Sequence, residues 1–308
     1  MAALINAGYR ADGIDEVSTT DEVENNYRHL DHSDPATDMV MTERDGELVG
    51  YTRTEWWQVV DGPRVHAVFA VVHPTAREDG VVDVLLDWSQ RRNIEVARAD
   101  GASEIALDGW TDQRQSWLCD AYERRGFEVI TYAALMTRDD LEDIPETRLP
   151  AGVEIRPVET SHLRPIREAT EEAFRDHWGY AAPTENGFQE FLDFPHRDET
   201  LWKIAWHGDR VIGQVKSFIN VAENEEFARR RGYTEFISTA RDWRKQGIAT
   251  ALICESLREL KRRGMTEAAL GVHTENPNGA LRLYESLGFE AASMHNAYRK
   301  TVHVGDTA

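Results

Sequence analysis

The sequence predicts an α/β fold built as two tandem domains, on three observations: the length, a repeat at one long offset, and a polar seam between the copies. A chain of 308 residues exceeds one ordinary domain and leaves about 150 residues for each of two cores. The segments around Gly50, Arg77 and Tyr122 recur in kind around Gly213, Arg244 and Tyr284. Their offsets are 163 (50 to 213), 167 (77 to 244) and 162 (122 to 284), in the same order. Between the copies, residues 138–152 are polar and carry Pro145, Pro150 and Gly152, the composition of a linker. The expected division is a first domain over 1–140, a linker over 141–152 and a second domain over 153–308.

Hydrophobic periodicity assigns elements in the second copy. Val153 to Val158 reads as a strand and Leu163 to Trp178 as a helix, with Ala169, Ala173 and Phe174 on one side. Lys203 to Trp206 and Val211 to Asn220 read as strands around the turn His207-Gly208-Asp209. Thr234 to Thr239 is a short strand. Gly247 to Arg263 is a helix with Ile248, Leu252, Leu257 and Leu260 towards the core and Gly264 as its stop. Ala268 to His273 is a further strand, followed by a helix from about Asn278 to Leu287. The order is β-α-α-β-β-β-α-β-α, with functional loops expected at strand ends.

Composition excludes several classes. Hydrophobic residues make up 41% and charged residues 29%, and no apolar run approaches the roughly 18 residues of a membrane span. Residues 1–16 lack a basic segment followed by an apolar one, so the expectation is a cytoplasmic protein. A net charge of −20 repels nucleic-acid backbones and anionic membranes, so neither is expected as a partner. Cys119 and Cys254 lack paired metal or redox spacing and read as small buried residues, and no metal is expected.

Two motifs carry chemistry. Arg244-Lys245-Gln246-Gly247-Ile248-Ala249 sits at a strand-to-helix junction, where unpaired amides and the helix dipole favour an anion. Gly247 admits it to the backbone without a Cβ in the way. About 30 residues on comes Asn276-Pro277-Asn278-Gly279-Ala280-Leu281-Arg282-Leu283-Tyr284, ending Gly288-Phe289. Together these resemble the GNAT superfamily of acyl-CoA-dependent N-acyltransferases, strongly over 200–290 and plausibly over 151–300. The fold that this resemblance implies is two GNAT-like domains, each a mixed, mostly antiparallel sheet flanked by helices.

The resemblance implies acetyl-CoA as co-substrate. Its polyanionic pyrophosphate would rest on the amides of Arg244, Lys245, Gln246, Gly247, Ile248, Ala249 and Thr250, and its pantetheine arm on the strand edge at Ile237, Ser238 and Thr239 and on Asn276 or Asn278. Tyr284 matches the family tyrosine that protonates the departing thiolate; its other reading is a core tyrosine packing the last helix. The acceptor ammonium must lose a proton before attack, and Glu235 is the preferred base, with His273 second. Phe174, His177 and Trp178 fall where the family walls the acceptor pocket. The implied activity is acetyl transfer to a primary amine of a small molecule or peptide by a monomer or homodimer. The alternatives are a mycothiol-synthase-like acetyltransferase and a non-catalytic CoA-binding scaffold.

In the first copy the phosphate turn reads Arg77-Glu78-Asp79-Gly80-Val81-Val82, with two carboxylates and a branched residue where a polyanion would sit. No Asn-Pro-Asn-Gly-Ala pattern precedes Tyr122 and no clear strand opens the chain, so this copy reads as structural. His29-Leu30-Asp31-His32 reads as solvated surface, and Glu223 to Arg231 as an exposed connection between strands.

Overall fold

The computed structural model describes residues 1–274 and 279–305. In chain order the main elements are α1 (Ala2–Asp12), α2 (Thr20–Arg28), β1 (Met39–Arg44), β2 (Glu47–Arg53), β3 (Trp56–Gln58), β4 (Arg64–Ala67), β5 (Val71–Val72), α3 (Val81–Ala99), β6 (Glu104–Asp112), α4 (Ser116–Arg124) and β7 (Glu128–Arg138). The second copy follows with β8 (Val153–Arg156), α5 (Leu163–Phe174), α6 (Glu185–Leu192), β9 (Lys203–His207), β10 (Arg210–Phe218), α7 (Val221–Glu226), β11 (Arg231–Thr239), α8 (Ile248–Arg262), β12 (Glu267–His273), α9 (Ala280–Ser286) and β13 (Glu290–His303). This is the mixed α/β architecture read from the sequence. Among the described residues no helix is long and apolar enough to cross a membrane.

Two compact units result. One comprises residues 1–132, 181–195 and 294–308, the other residues 133–180 and 196–293. The repeat offsets divide the sequence near residue 150, whereas compactness assigns the closing strand of each copy to the other copy's unit. Offsets report which segments correspond in sequence; they do not report which strand a segment pairs with.

In the first unit, β6 pairs parallel with β4 and antiparallel with His295–His303 of β13, and β1, β2 and β5 form a small separate antiparallel sheet. Val81, Val82, Leu85 and Leu86 on one face of α3 pack into a core with Leu107, Tyr122 and Tyr298. Tyr298, 1% exposed, stacks on Tyr122 at 5.1 Å between centroids.

The second unit is one sheet in the order β7-β12-β11-β10-β9-β8, antiparallel except for β11 with β12. Helix α8 buries Ile248, Leu252, Leu257 and Leu260, the face its periodicity predicts, against this sheet. The approach is close: a Cβ on Gly232 of β11 would stand 2.4 Å from Leu260 Cδ2. Part of the linker composition over 138–150 is docked on this unit. Leu141 is 2% exposed, and the buried Arg138 guanidinium donates to the carbonyls of Asp140, Asp143 and Leu287.

Four expectations need correction. Helix α5 stops at Phe174 and not at Trp178, because the chain turns through His177 N–H to Phe174 O and on to Gly179 in the left-handed region. The second copy ends on a fourteen-residue strand, β13, where a helix was expected to be last; Glu290 to His303 lacks an alternating apolar face. The segment from Glu223 to Arg231 is not an exposed connection: Asn220 caps α7, Glu223 is 4% exposed, and its carboxylate accepts from Arg229 and Tyr233. Nor is His29 simply solvated, since it is half-buried and bonds Asp193 at 2.8 Å, whereas His32 is exposed, as expected, and stacks on Trp56 at 3.8 Å.

The first unit's dependence on the end of the chain is testable. Tyr298→Ala deletes an aromatic core side chain and should cost about 3 kcal/mol or more. Urea unfolding with hydrogen exchange followed on β6 should show that loss in the first unit, although the substitution lies ten residues from the C-terminus.

Candidate active site

The site begins where a ladder ends. β11 and β12 share only three parallel pairs, Arg231 with Glu267, Gly232 with Ala268 and Tyr233 with Ala269. β11 continues to Thr239, held by β10 on its other side, while β12 continues to His273. A bulge sits on the departing segment: the register against β10 shifts between Gln214 and Lys216, and Phe236 takes φ of 50°. The strands therefore splay, and a cleft of about 730 Å³ opens in the second unit.

Glu235 stands at the fork. Its Oε1 accepts the Gly271 N–H at 3.0 Å, so a side chain spans the strands where the backbone ladder has stopped. Burial raises its carboxyl to about 7, against the opposing effect of that hydrogen bond. Tyr284 of α9 lines the same cleft; burial, and then the charge of Glu235, push its phenol well above the ordinary tyrosine value. His273 ends β12 with its pKa lowered by burial. His177 is lowered too, by burial first and then by His273 and Arg244. The Phe174 and His177 rings lie 4.4 Å apart, and Trp178 lies 5.9 Å from His273.

The turn before α8 borders the cleft. Lys245 and Gly247 take positive φ of 61° and 79°, and no side chain caps the fifteen-residue helix that follows. Nothing lies within 4 Å of a Cβ built on Gly247, so the turn combines uncapped amides, a helix dipole and open space. These features fit a pyrophosphate. The Arg244 side chain is engaged within the fold: Nε donates to Thr239 O at 3.4 Å and Nη2 to Ala173 O at 3.3 Å, with Asp176 3.7 Å away. What Arg244 offers an anion is chiefly its backbone. Ile248 likewise contributes backbone, its side chain being 1% exposed.

The structure brings Glu235, Ile237, Ser238, Thr239, Arg244, Lys245, Gly247, Ile248, Ala249, Thr250, Tyr284, Phe174, His177 and His273 to one cleft. Gln246 is exposed, donates to Asp242 O and does not line it. Trp178 does not line the cleft; it is 43% exposed, with its ring 5.9 Å from that of His273. Asn276 and Asn278 lie outside the described residues. Sequence reasoning missed Phe236 and Trp243, both lining the cleft; no local signal marks them, because an aromatic in or beside a strand reads as core. It also missed Lys216 of β10, whose Nζ lies 3.1 Å from Thr170 Oγ1 and whose pKa burial lowers to about 7.

The first unit uses the corresponding groups differently. Tyr122, the counterpart of Tyr284, is fully buried and donates to Val68 O at 2.7 Å; a Cβ on Gly109 would fall 2.5 Å from its ring. Arg77 of the worn turn is held by both oxygens of Asp12, at 2.6 and 2.8 Å, under the ring of Trp117. Asp79 pairs with Arg44. Among the described residues no group of three or more His, Cys, Asp or Glu is arranged to hold a metal.

Comparison with known proteins gives the following. The sequence profile of the acetyltransferase (GNAT) family matches residues 6–127 and 163–289. N-alpha-acetyltransferase 30 of Schizosaccharomyces pombe (strain 972 / ATCC 24843) is 34% identical over 96 residues, covering 31% of this chain and 61% of that protein, less than two thirds of its length. Two solved structures share the fold over nearly the whole chain. A GCN5-related N-acetyltransferase from Sphaerobacter thermophilus has a TM-score of 0.70 at 24% identity, covering 98% of this chain and 91% of that one. A tandem GNAT protein from the clavulanic acid biosynthesis pathway has a TM-score of 0.71 at 15% identity, covering 100% and 94%.

The bulge makes a prediction about stability. At left-handed φ a side chain costs roughly 1 kcal/mol relative to glycine. Phe236→Gly should therefore be more stable than Phe236→Ala by about 1 kcal/mol in denaturant unfolding, the reverse of the order in a regular strand.

Proposed function

The chain belongs to the acetyltransferase (GNAT) family, and on that premise we propose that its second unit transfers an acetyl group from acetyl-CoA to a primary amine of a small molecule or peptide, with both substrates bound at once. The observation that carries this reading is that Glu235, its carboxyl raised to about 7, and Tyr284, a phenol that keeps its proton at neutral pH, line one cleft with the Arg244–Thr250 turn. The name of the Schizosaccharomyces pombe relative supports an amine acceptor.

The amides of Arg244 to Thr250 would hold the pyrophosphate, and the β11 edge from Ile237 to Thr239 would align the pantetheine arm. Acetyl-CoA supplies the thioester whose carbonyl carbon the amine attacks and whose C–S bond breaks. Glu235 takes one proton from the acceptor ammonium, which at its ordinary value near 10 holds almost no free lone pair at neutral pH. Tyr284 gives its phenolic proton to the departing thiolate. The second proton lost by the nitrogen restores the phenol, and the one held by Glu235 passes to solvent, so one proton is released per turnover. Phe174 and His177 would wall the acceptor.

Two measurements test these roles. Tyr284→Phe should lower kcat about a hundredfold in an acetyl-CoA consumption assay, the range for a lost general acid; an undiminished kcat would remove the role. Because a base works deprotonated, the rate should climb through about pH 7 and level off above it, and Glu235→Gln should abolish that limb. A limb below 6.5 that survives Glu235→Gln would assign the base to His273, whose pKa is lowered from 6.5.

A further inference from the structure

We propose that the acceptor is a primary monoamine on an apolar, aliphatic or aromatic skeleton, and that Phe236 selects it; this rests on the acetyl-transfer reading above. The charge distribution supplies the first argument. The chain carries a net charge of −20, yet among the described residues lining the cleft the only carboxylate is Glu235, against the cations Arg244 and Lys245. Among these residues a diamine or polyamine finds one carboxylate for its reacting nitrogen and none for the others.

The second argument is the placement of Phe236. A bulky side chain at φ of 50° is held against its backbone preference, and such strain persists where the surrounding structure imposes it, often at ligand sites. Phe236 is 43% exposed although it borders the cleft, so the bulge leaves an apolar residue open next to Glu235 instead of burying it. Phe174 and the His177 imidazole, 4.4 Å apart, line the same cleft. With the ammonium at Glu235, an apolar substituent on the amine has aromatic surface to cover.

The test uses the full chain and compares kcat/KM for 2-phenylethylamine and 3-methylbutylamine with ethanolamine, butane-1,4-diamine and spermidine. Titration calorimetry with acetyl-CoA reads the parent reading separately. The apolar monoamines should exceed the diamine by about tenfold or more. Phe236→Ala should lower kcat/KM for 2-phenylethylamine about fivefold or more, mainly through KM, as expected for a lost aromatic contact, and narrow the gap to ethanolamine. Phe236→Gly, which suits the left-handed backbone, should reproduce that change, so a folding defect in the alanine variant cannot mimic it. Preference for the diamine or spermidine, or an equal loss for every amine, overturns the proposal. Acetyl-CoA binding with no turnover of any amine overturns the acceptor class alone, and no acetyl-CoA binding overturns both readings.

Discussion

The parallel ladder between β11 and β12 stops after Tyr233 and Ala269, and everything at the site follows from that stop. Backbone groups beyond the last pair need other partners or an opening to ligand. One of them, the Gly271 N–H, is satisfied by the Glu235 carboxylate, which is thereby held at the fork in partly desolvated surroundings. The same divergence leaves the β11 edge facing a cleft and brings Tyr284 within electrostatic reach of Glu235. A short ladder, a bulge and one carboxylate thus set the shape and the proton affinity of the site together.

The first unit shows what the same parts do when the opening is closed. Its tyrosine is core, bonded to a strand carbonyl and stacked on Tyr298, and its turn arginine is neutralised by Asp12. Burial alone does not separate the two tyrosines, since Tyr284 is only 6% exposed. The difference is the neighbour: the Tyr122 hydroxyl donates a hydrogen bond to a backbone carbonyl, whereas Tyr284 borders a cavity and feels a titratable carboxylate. Repeated sequence therefore need not mean repeated chemistry.

Much of this was legible in the chain, and where it was not the cause is specific. Helix α8 was readable because its apolar residues recur at helical spacing and Gly247 and Gly264 bracket them. The turn was readable because anion binding there depends on backbone and on a local sequence pattern. β13 was not readable, since a strand whose buried residues are mainly Asn296, Ala297, Tyr298 and Val302 lacks an alternating apolar face. Phe236 was not readable either: what makes it a surface of the cleft is a register shift against β10, and a register belongs to two strands.

By itself the sequence determined the duplication, the α/β class and the family resemblance, because each rests on local residue types and spacings. Only the tertiary structure decided which strand closes which sheet, that burial raises the Glu235 carboxyl to about 7 and that Phe236 borders the cleft. Those properties depend on burial, register and neighbours more than 30 residues away, such as Gly271 for Glu235, and no window of sequence contains them.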